Sequence, residues 1–133
     1  MSDANQHITG VRIPTRSNPR VNRDYIITLK ITLPLAPAET KVRRDVNMHI
    51  RYVPDRLICD SPRMMFYFNS LDGQDWVGIE DLANLITDDF CNELIPRWIS
   101  VSLSLHVDGT EHSAHVTDKQ PLWDNPRLIP RLE

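Results

Sequence analysis

The chain has 133 residues, about one domain's worth, and its 41% apolar and 25% charged residues provide for a core and exclude wholesale disorder. No run approaches the roughly 18 apolar residues of a membrane span and no charged-then-apolar leader opens the chain, which points to a cytoplasmic protein with no membrane partner. The net charge of −3 is split, with 11 basic against 6 acidic residues up to position 70 and 4 against 12 beyond it; such halves complement each other within a fold or between identical subunits, and without a basic run or interleaved aromatics they exclude direct nucleic-acid binding.

Residues 1–22 read as a polar arm, with Arg12, Arg16 and Arg20 among Ser, Asn, Thr and Pro. It has almost nothing to bury and stays loose unless a neighbour pins it. Over 25–35, Ile27, Leu29, Ile31, Leu33 and Leu35 share one face, and Thr28, Lys30 and Thr32 take the other. This period of two predicts a strand with one apolar side, ended or held at an edge by Pro34. Val46, Met48, Ile50 and Tyr52 repeat the pattern over 45–53, and Pro54-Asp55 closes it as a turn. Residues 56–60 and 63–69 read as two further strand pieces broken at Pro62, with a turn at Asp72-Gly73.

Residues 79–95 form the one convincing helix, with Ile79, Leu82, Ala83, Ile86, Phe90 and Leu94 on a single face. Glu80 and Asp81 suit the positive end of its dipole, and Pro96 stops it. Over 97–107, Ile99, Val101, Leu103, Leu105 and Val107 face one way, while Trp98, Ser100, Ser102, Ser104 and His106 face the other. Asp108-Gly109 then turns the chain into a last strand near 111–117. From Asp118 the tail is Pro-rich yet keeps Leu122, Trp123, Leu128 and Ile129, so it is expected to dock on its own or a neighbouring subunit.

The order of elements gives an α+β class: an arm over 1–22, a domain over 23–117 and a tail over 118–133. One helix covers only part of such a sheet, and long free edges invite aggregation unless paired. Pairing edges between subunits into a closed barrel removes the hazard, with the Ser-rich face as its polar interior, so a homo-oligomer is expected. Cys59 and Cys91 are too few for a disulfide framework and read as packed thiols. His112 and His115, three apart on a strand, point to opposite faces, which suits solvated or hydrogen-bonded histidines better than a metal set with His106. Trp76, just ahead of the helix, reads as a packing residue or as a stacking lid over a ligand. The four glycines form no phosphate-cradling pattern.

Arg23-Asp24-Tyr25, Tyr52-Val53-Pro54-Asp55, Ile79-Glu80-Asp81 and Pro96-Arg97-Trp98, in this order and spacing, resemble the 7-cyano-7-deazaguanine (nitrile) reductases of the queuosine pathway. These belong to the tunnelling-fold (T-fold) superfamily, and the likeness runs colinearly from about residue 20 to 107. It implies an antiparallel sheet backed by helix, subunits assembling into a barrel, and ligands bound at subunit interfaces. A glutamate there anchors a purine-like or pterin-like ring, and Glu80 falls on that position. A carboxylate suits the task because it accepts two parallel N–H bonds from a guanine-type edge. Taken without the resemblance, Glu80 is a first-turn acid favoured by the helix dipole.

The departures concern the chemistry. The family's nucleophilic cysteine would lie in Leu35-Ala36-Pro37-Ala38-Glu39-Thr40, which has no cysteine, serine or lysine at the expected place. The covalent thioimide route requires a thiolate. Asp45 is the counterpart of the family's acid and the catalytic candidate. The cofactor segment aligns with Asp60-Ser61-Pro62-Arg63-Met64-Met65, in which Pro62 and Met65 replace lysines and Arg63 alone can meet a phosphate. Ser61 remains as a substrate-binding candidate, and the histidine ahead of the anchoring glutamate has become Ile79. The family's Arg-Gly-Gly turn is replaced by Asp108-Gly109-Thr110-Glu111.

Three functions are compatible with this pattern. The first is a binder or remodelled enzyme that seats a purine-like small molecule on Glu80 at a subunit interface, with the thioimide and NADPH chemistry lost or replaced. The second is an active NADPH-dependent reductase, the one reading that brings in NADPH as cofactor. The third is a non-catalytic structural subunit, pairing with an active homologue through the split of charge.

Overall fold

A computed structural model describes residues 11–132. Its frame is a four-stranded antiparallel sheet of β2 (Ile27–Leu35), β3 (Arg44–Val53), β5 (Trp98–Val107) and β6 (Thr110–Lys119), in the order β2-β3-β5-β6. A short ribbon pairs β1 (Thr15–Ser17) with β4 (Leu57–Cys59). The helices are α1 (Met64–Ser70), preceded by a 3-10 turn at Ser61–Arg63, the long α2 (Ile79–Leu94) and a terminal turn α3 (Ile129–Leu132). Among the described residues no helix is long and apolar enough to cross a membrane.

Period-two alternation decides the sheet. Val46, Met48, Ile50 and Tyr52 of β3 are buried beside Val101 and Leu103 of β5. Leu82, Ala83, Ile86, Phe90 and Leu94 of α2 pack over this row, and Phe90 stands 6.0 Å from the Tyr52 ring, centroid to centroid. The opposite face is polar, with Lys30, His49, Ser102 and His115 along it. Asp108 and Gly109 both take positive φ, the backbone of a two-residue primed hairpin turn between β5 and β6. The edge strand β2 keeps Ile27, Leu29, Ile31 and Leu33 only half-buried.

One expectation fails. The run 63–69, expected as a strand from its aromatic content, is helical from Met64 to Ser70. Met64, Tyr67, Phe68 and Leu71 are buried, a helical spacing, whereas Phe66, which alternation would turn inward with Met64 and Phe68, is 73% exposed. Tyr67 Oη donates to the buried Asp89 carboxylate of α2 at 2.6 Å, a tertiary bond that a local propensity does not contain.

The described part of the arm is pinned by its own chain. Ile13 is buried, β1 pairs with β4, and Asn18 Nδ2 donates to the Asp55 carbonyl at 2.6 Å. Residues 1–10 lie outside the described residues. The tail also lies back on its own chain: Trp123 Nε1 and Asn125 Nδ2 donate to Asp24 Oδ2 at 3.1 and 2.9 Å. Asp24 Oδ1 accepts from Arg97 Nη1 at 2.8 Å, and Arg97 Nη2 reaches Asp55 Oδ1 at 3.2 Å and the Val21 carbonyl at 2.7 Å. Gln120 Nε2 donates to Asp55 Oδ2 at 2.9 Å and to the carbonyl of Ile95, the left-handed residue that ends α2, at 3.1 Å. The Arg97 guanidinium thus ties the arm to the turn after β3, while Asp24 and Gln120 bring in the tail and the end of α2.

Candidate functional site

Antiparallel order brings the end of β2, the start of β3, the end of β5, the start of β6 and the start of α2 to one end of the sheet. A cavity of about 360 Å³ opens there. Leu35, Val46, Leu105 and Val107 line its sheet side, the β2–β3 connection supplies Pro37, Glu39, Thr40 and Val42, and Trp76 to Glu80 form its helix side. The connection is held against the α1–α2 turn. Ala36 N–H donates to Asp72 Oδ1 at 2.8 Å, Gly73 N–H donates to the Ala36 carbonyl at 2.8 Å, and Arg43 Nη1 meets Asp72 Oδ2 at 3.0 Å. Trp76 is buried with its indole N–H on the Leu71 carbonyl at 2.8 Å, so it is a wall of the cavity packed into the core.

Gly78 sets the position of Glu80. It is the N-cap of α2 at φ 125° and ψ 174°, a conformation open to glycine and strained for other residues. A Cβ built on it would stand 2.8 Å from Glu80 Oε1, so the bare Cα leaves room for the carboxylate to fold back over the helix start. Asp81 Oδ2 accepts from Val77 N–H at 2.9 Å and ties the chain ahead of the helix to its first turn. Glu80 is exposed, and its carboxylate makes no hydrogen bond or ion pair among the described residues.

The three site candidates from the sequence are not brought together within one chain. Glu80 lines the cavity. Asp45 lies on the other face of β3, in a depression with Thr32, Asn47 and His106 that Arg44 also lines. Ser61 is exposed at the start of the 3-10 turn and does not line the cavity. Neither cysteine reaches it. Cys59 is buried beside Tyr52, with Tyr52 Oη 3.2 Å from its sulfur, and burial pushes its thiol up. The Cys91 thiol is pushed up to about 11, first by burial and then by the Asp118 carboxylate 3.8 Å away. Among the described residues no three His, Cys, Asp or Glu side chains gather as a metal site. His115 bonds Ser102 Oγ at 2.6 Å on the polar face, whereas His112 lines the cavity.

Three cavity residues escaped the sequence reading: Gly78, Arg44 and the role of His112. Arg44 left a signal, because it has the same strand parity as Val46 and Met48, so a guanidinium extends an apolar row. Gly78 left none beyond being a glycine ahead of a helix.

No protein-family model matches the chain. It is 29% identical over 119 residues to the NADPH-dependent 7-cyano-7-deazaguanine reductase of Syntrophus aciditrophicus (strain SB), covering 86% of this chain and 83% of that protein. It is 25% identical over 97 residues to the protein of the same name from Prochlorococcus marinus (strain NATL2A), covering 72% of this chain and 69% of that one. Among solved structures, the archaeosine synthase QueF-Like in its apo form superposes with a TM-score of 0.64 at 15% identity, over 71% of this chain and 94% of that chain. That likeness is one of fold.

Proposed function

We propose that this chain, a T-fold relative of the NADPH-dependent 7-cyano-7-deazaguanine reductases, binds a purine-, 7-deazaguanine- or pterin-like ring through Glu80 and has lost the thioimide chemistry. The observation that carries the reading is a cavity with an unpartnered carboxylate and no thiol among its lining residues. A thioimide needs a thiolate. At neutral pH a thiol at about 11, as Cys91 is, ionises only to roughly one part in ten thousand. Both cysteines lie outside the cavity. The carboxylate is suited to accept the amino and ring N–H groups of a guanine-type edge as a parallel pair.

A second copy of the chain completes the cavity in this reading. Val42 and Val77, at its mouth, are 48% and 75% exposed, an apolar rim that a neighbouring subunit would cover. Edge strands β2 and β6 offer nine and ten residues for pairing between subunits into a barrel. Asp45 and Ser61 enter the site only across that interface, Asp45 as the acid and Ser61 as a ligand contact.

The segment corresponding to the NADPH site does not fit the cofactor. Pro62 and the 43% exposed Met65 carry no charge, and the one cation of the segment, Arg63, is exposed and lies 3.9 Å from Asp60.

Calorimetry with guanine, 7-deazaguanine and pterin, run beside an NADPH-oxidation assay with 7-cyano-7-deazaguanine, tests the reading. The expected result is ring binding without NADPH consumption. NADPH turnover would restore the reductase reading, and an intact oligomer that binds no ring would leave a structural subunit. Gly78→Ala adds a local check. The new Cβ displaces the Glu80 carboxylate and strains the helix start, so ring binding is expected to fall about tenfold at a stability cost of roughly 1–3 kcal/mol. Unchanged affinity in a folded Gly78→Ala protein would remove Gly78 from this role.

A further inference from the structure

We infer that the ligand carries an anionic group on the side of the ring away from Glu80, received by Arg44 and His112; this rests on the ring-binding reading above. Both residues lie on the helix-facing side of the sheet, where Arg44 continues the row of Val46 and His112 pairs across from Leu105. Both line the cavity, and neither side chain makes a hydrogen bond or ion pair among the described residues. Their neighbours are used differently: Arg43 is spent on Asp72 at 3.0 Å, and His115 on Ser102 at 2.6 Å. Arg44 is half-buried against Leu35 and Val46. Apolar walls strengthen the field of a guanidinium and make it costly to leave without a counter-charge.

Two acids line the same cavity. Glu80 stands on the helix side, and the exposed Glu39 forms no ion pair with Arg44. The cavity is thus polarised, with an acceptor for ring N–H groups at the helix and a donor pair at the sheet. A guanine-type ring with an acidic substituent matches both ends. The anion is either a carboxylate on the ring itself or the phosphate of a nucleotide; guanidinium forks suit both.

Titration calorimetry on the full chain in its native oligomer tests this with probes of matched shape. The wild-type protein is expected to bind 7-carboxy-7-deazaguanine at least about tenfold more tightly than its neutral carboxamide counterpart. Arg44→Gln should shrink that ratio below about threefold, and Arg44→Lys should keep only part of it, since the charge survives but the bidentate fork is lost. If the anion is a phosphate, the same Arg44-dependent ratio appears between GMP and guanosine instead. Equal affinities within both pairs would overturn the inference while leaving ring binding by Glu80 intact. Failure of every ring to bind would overturn the ring-binding reading and this inference together.

Discussion

Glu80→Gln is expected to weaken the binding of 7-deazaguanine about a hundredfold, measured by calorimetry, with little change in melting temperature. The side chain keeps its size, but one accepting oxygen becomes an NH2 that faces a donor on the ring. One charge-assisted hydrogen bond is lost and the other loses its charge, together about 3 kcal/mol, or roughly a hundredfold. The fold does not depend on this carboxylate, because it is exposed and has no partner among the described residues. Only its interaction with the helix dipole is lost, about 0.5 kcal/mol. Affinity that survives Glu80→Gln undiminished would take this residue out of the site.

Arg97→Ala is expected to cost roughly 3 kcal/mol of folding stability, measured by urea denaturation. The Arg97 side chain is only 16% exposed and serves Asp24, Asp55 and the Val21 carbonyl at once. Alanine leaves two carboxylates without their cation. The contrast is Arg12, 82% exposed in its pair with Glu93, whose loss should cost no more than about 0.5 kcal/mol. Burial alone would raise the Asp24 carboxyl, but hydrogen bonds from Asn125, Arg97 and Trp123 and the Arg97 charge outweigh it and hold the group below its ordinary value. Its contribution to stability is therefore complete above the unfolded carboxyl value near about pH 4 and is lost as the pH falls through the lower folded value. The Trp123 indole N–H resonance should move over that acid range in the wild type. In Arg97→Ala the transition should shift upward. A stability equal to wild type, with no shift, would refute the clamp.

These two predictions separate what the family likeness transfers. Asp24, Asp55 and Arg97 carried the resemblance in the sequence, and all three meet in the clamp that joins arm, turn, helix end and tail. They are residues of architecture. The departures fall elsewhere, in 35–40, in 60–65, at Ile79 and in 108–111. Among the cavity residues, Glu80 alone combines membership of the likeness with a chemistry of its own.

What the sequence determined by itself was whatever neighbours in the chain can encode. Alternation in 27–35, 46–52 and 99–107 placed three strands and their apolar faces, the spacing from Ile79 to Leu94 placed α2, and Asp108-Gly109 placed the hairpin turn. The absence of a thiol between β2 and β3 was also plain from the chain alone. Tertiary structure decided the rest. Residues 64–70 are helical because Tyr67 reaches Asp89 and the core accepts a helical face there. Arg44, Glu80 and His112 share a cavity because antiparallel pairing folds three distant segments to the same end of the sheet. Periodicity is a local property and survives in the order of residues, whereas the assembly of a charge network or a cavity depends on contacts across many tens of residues, which no local pattern records.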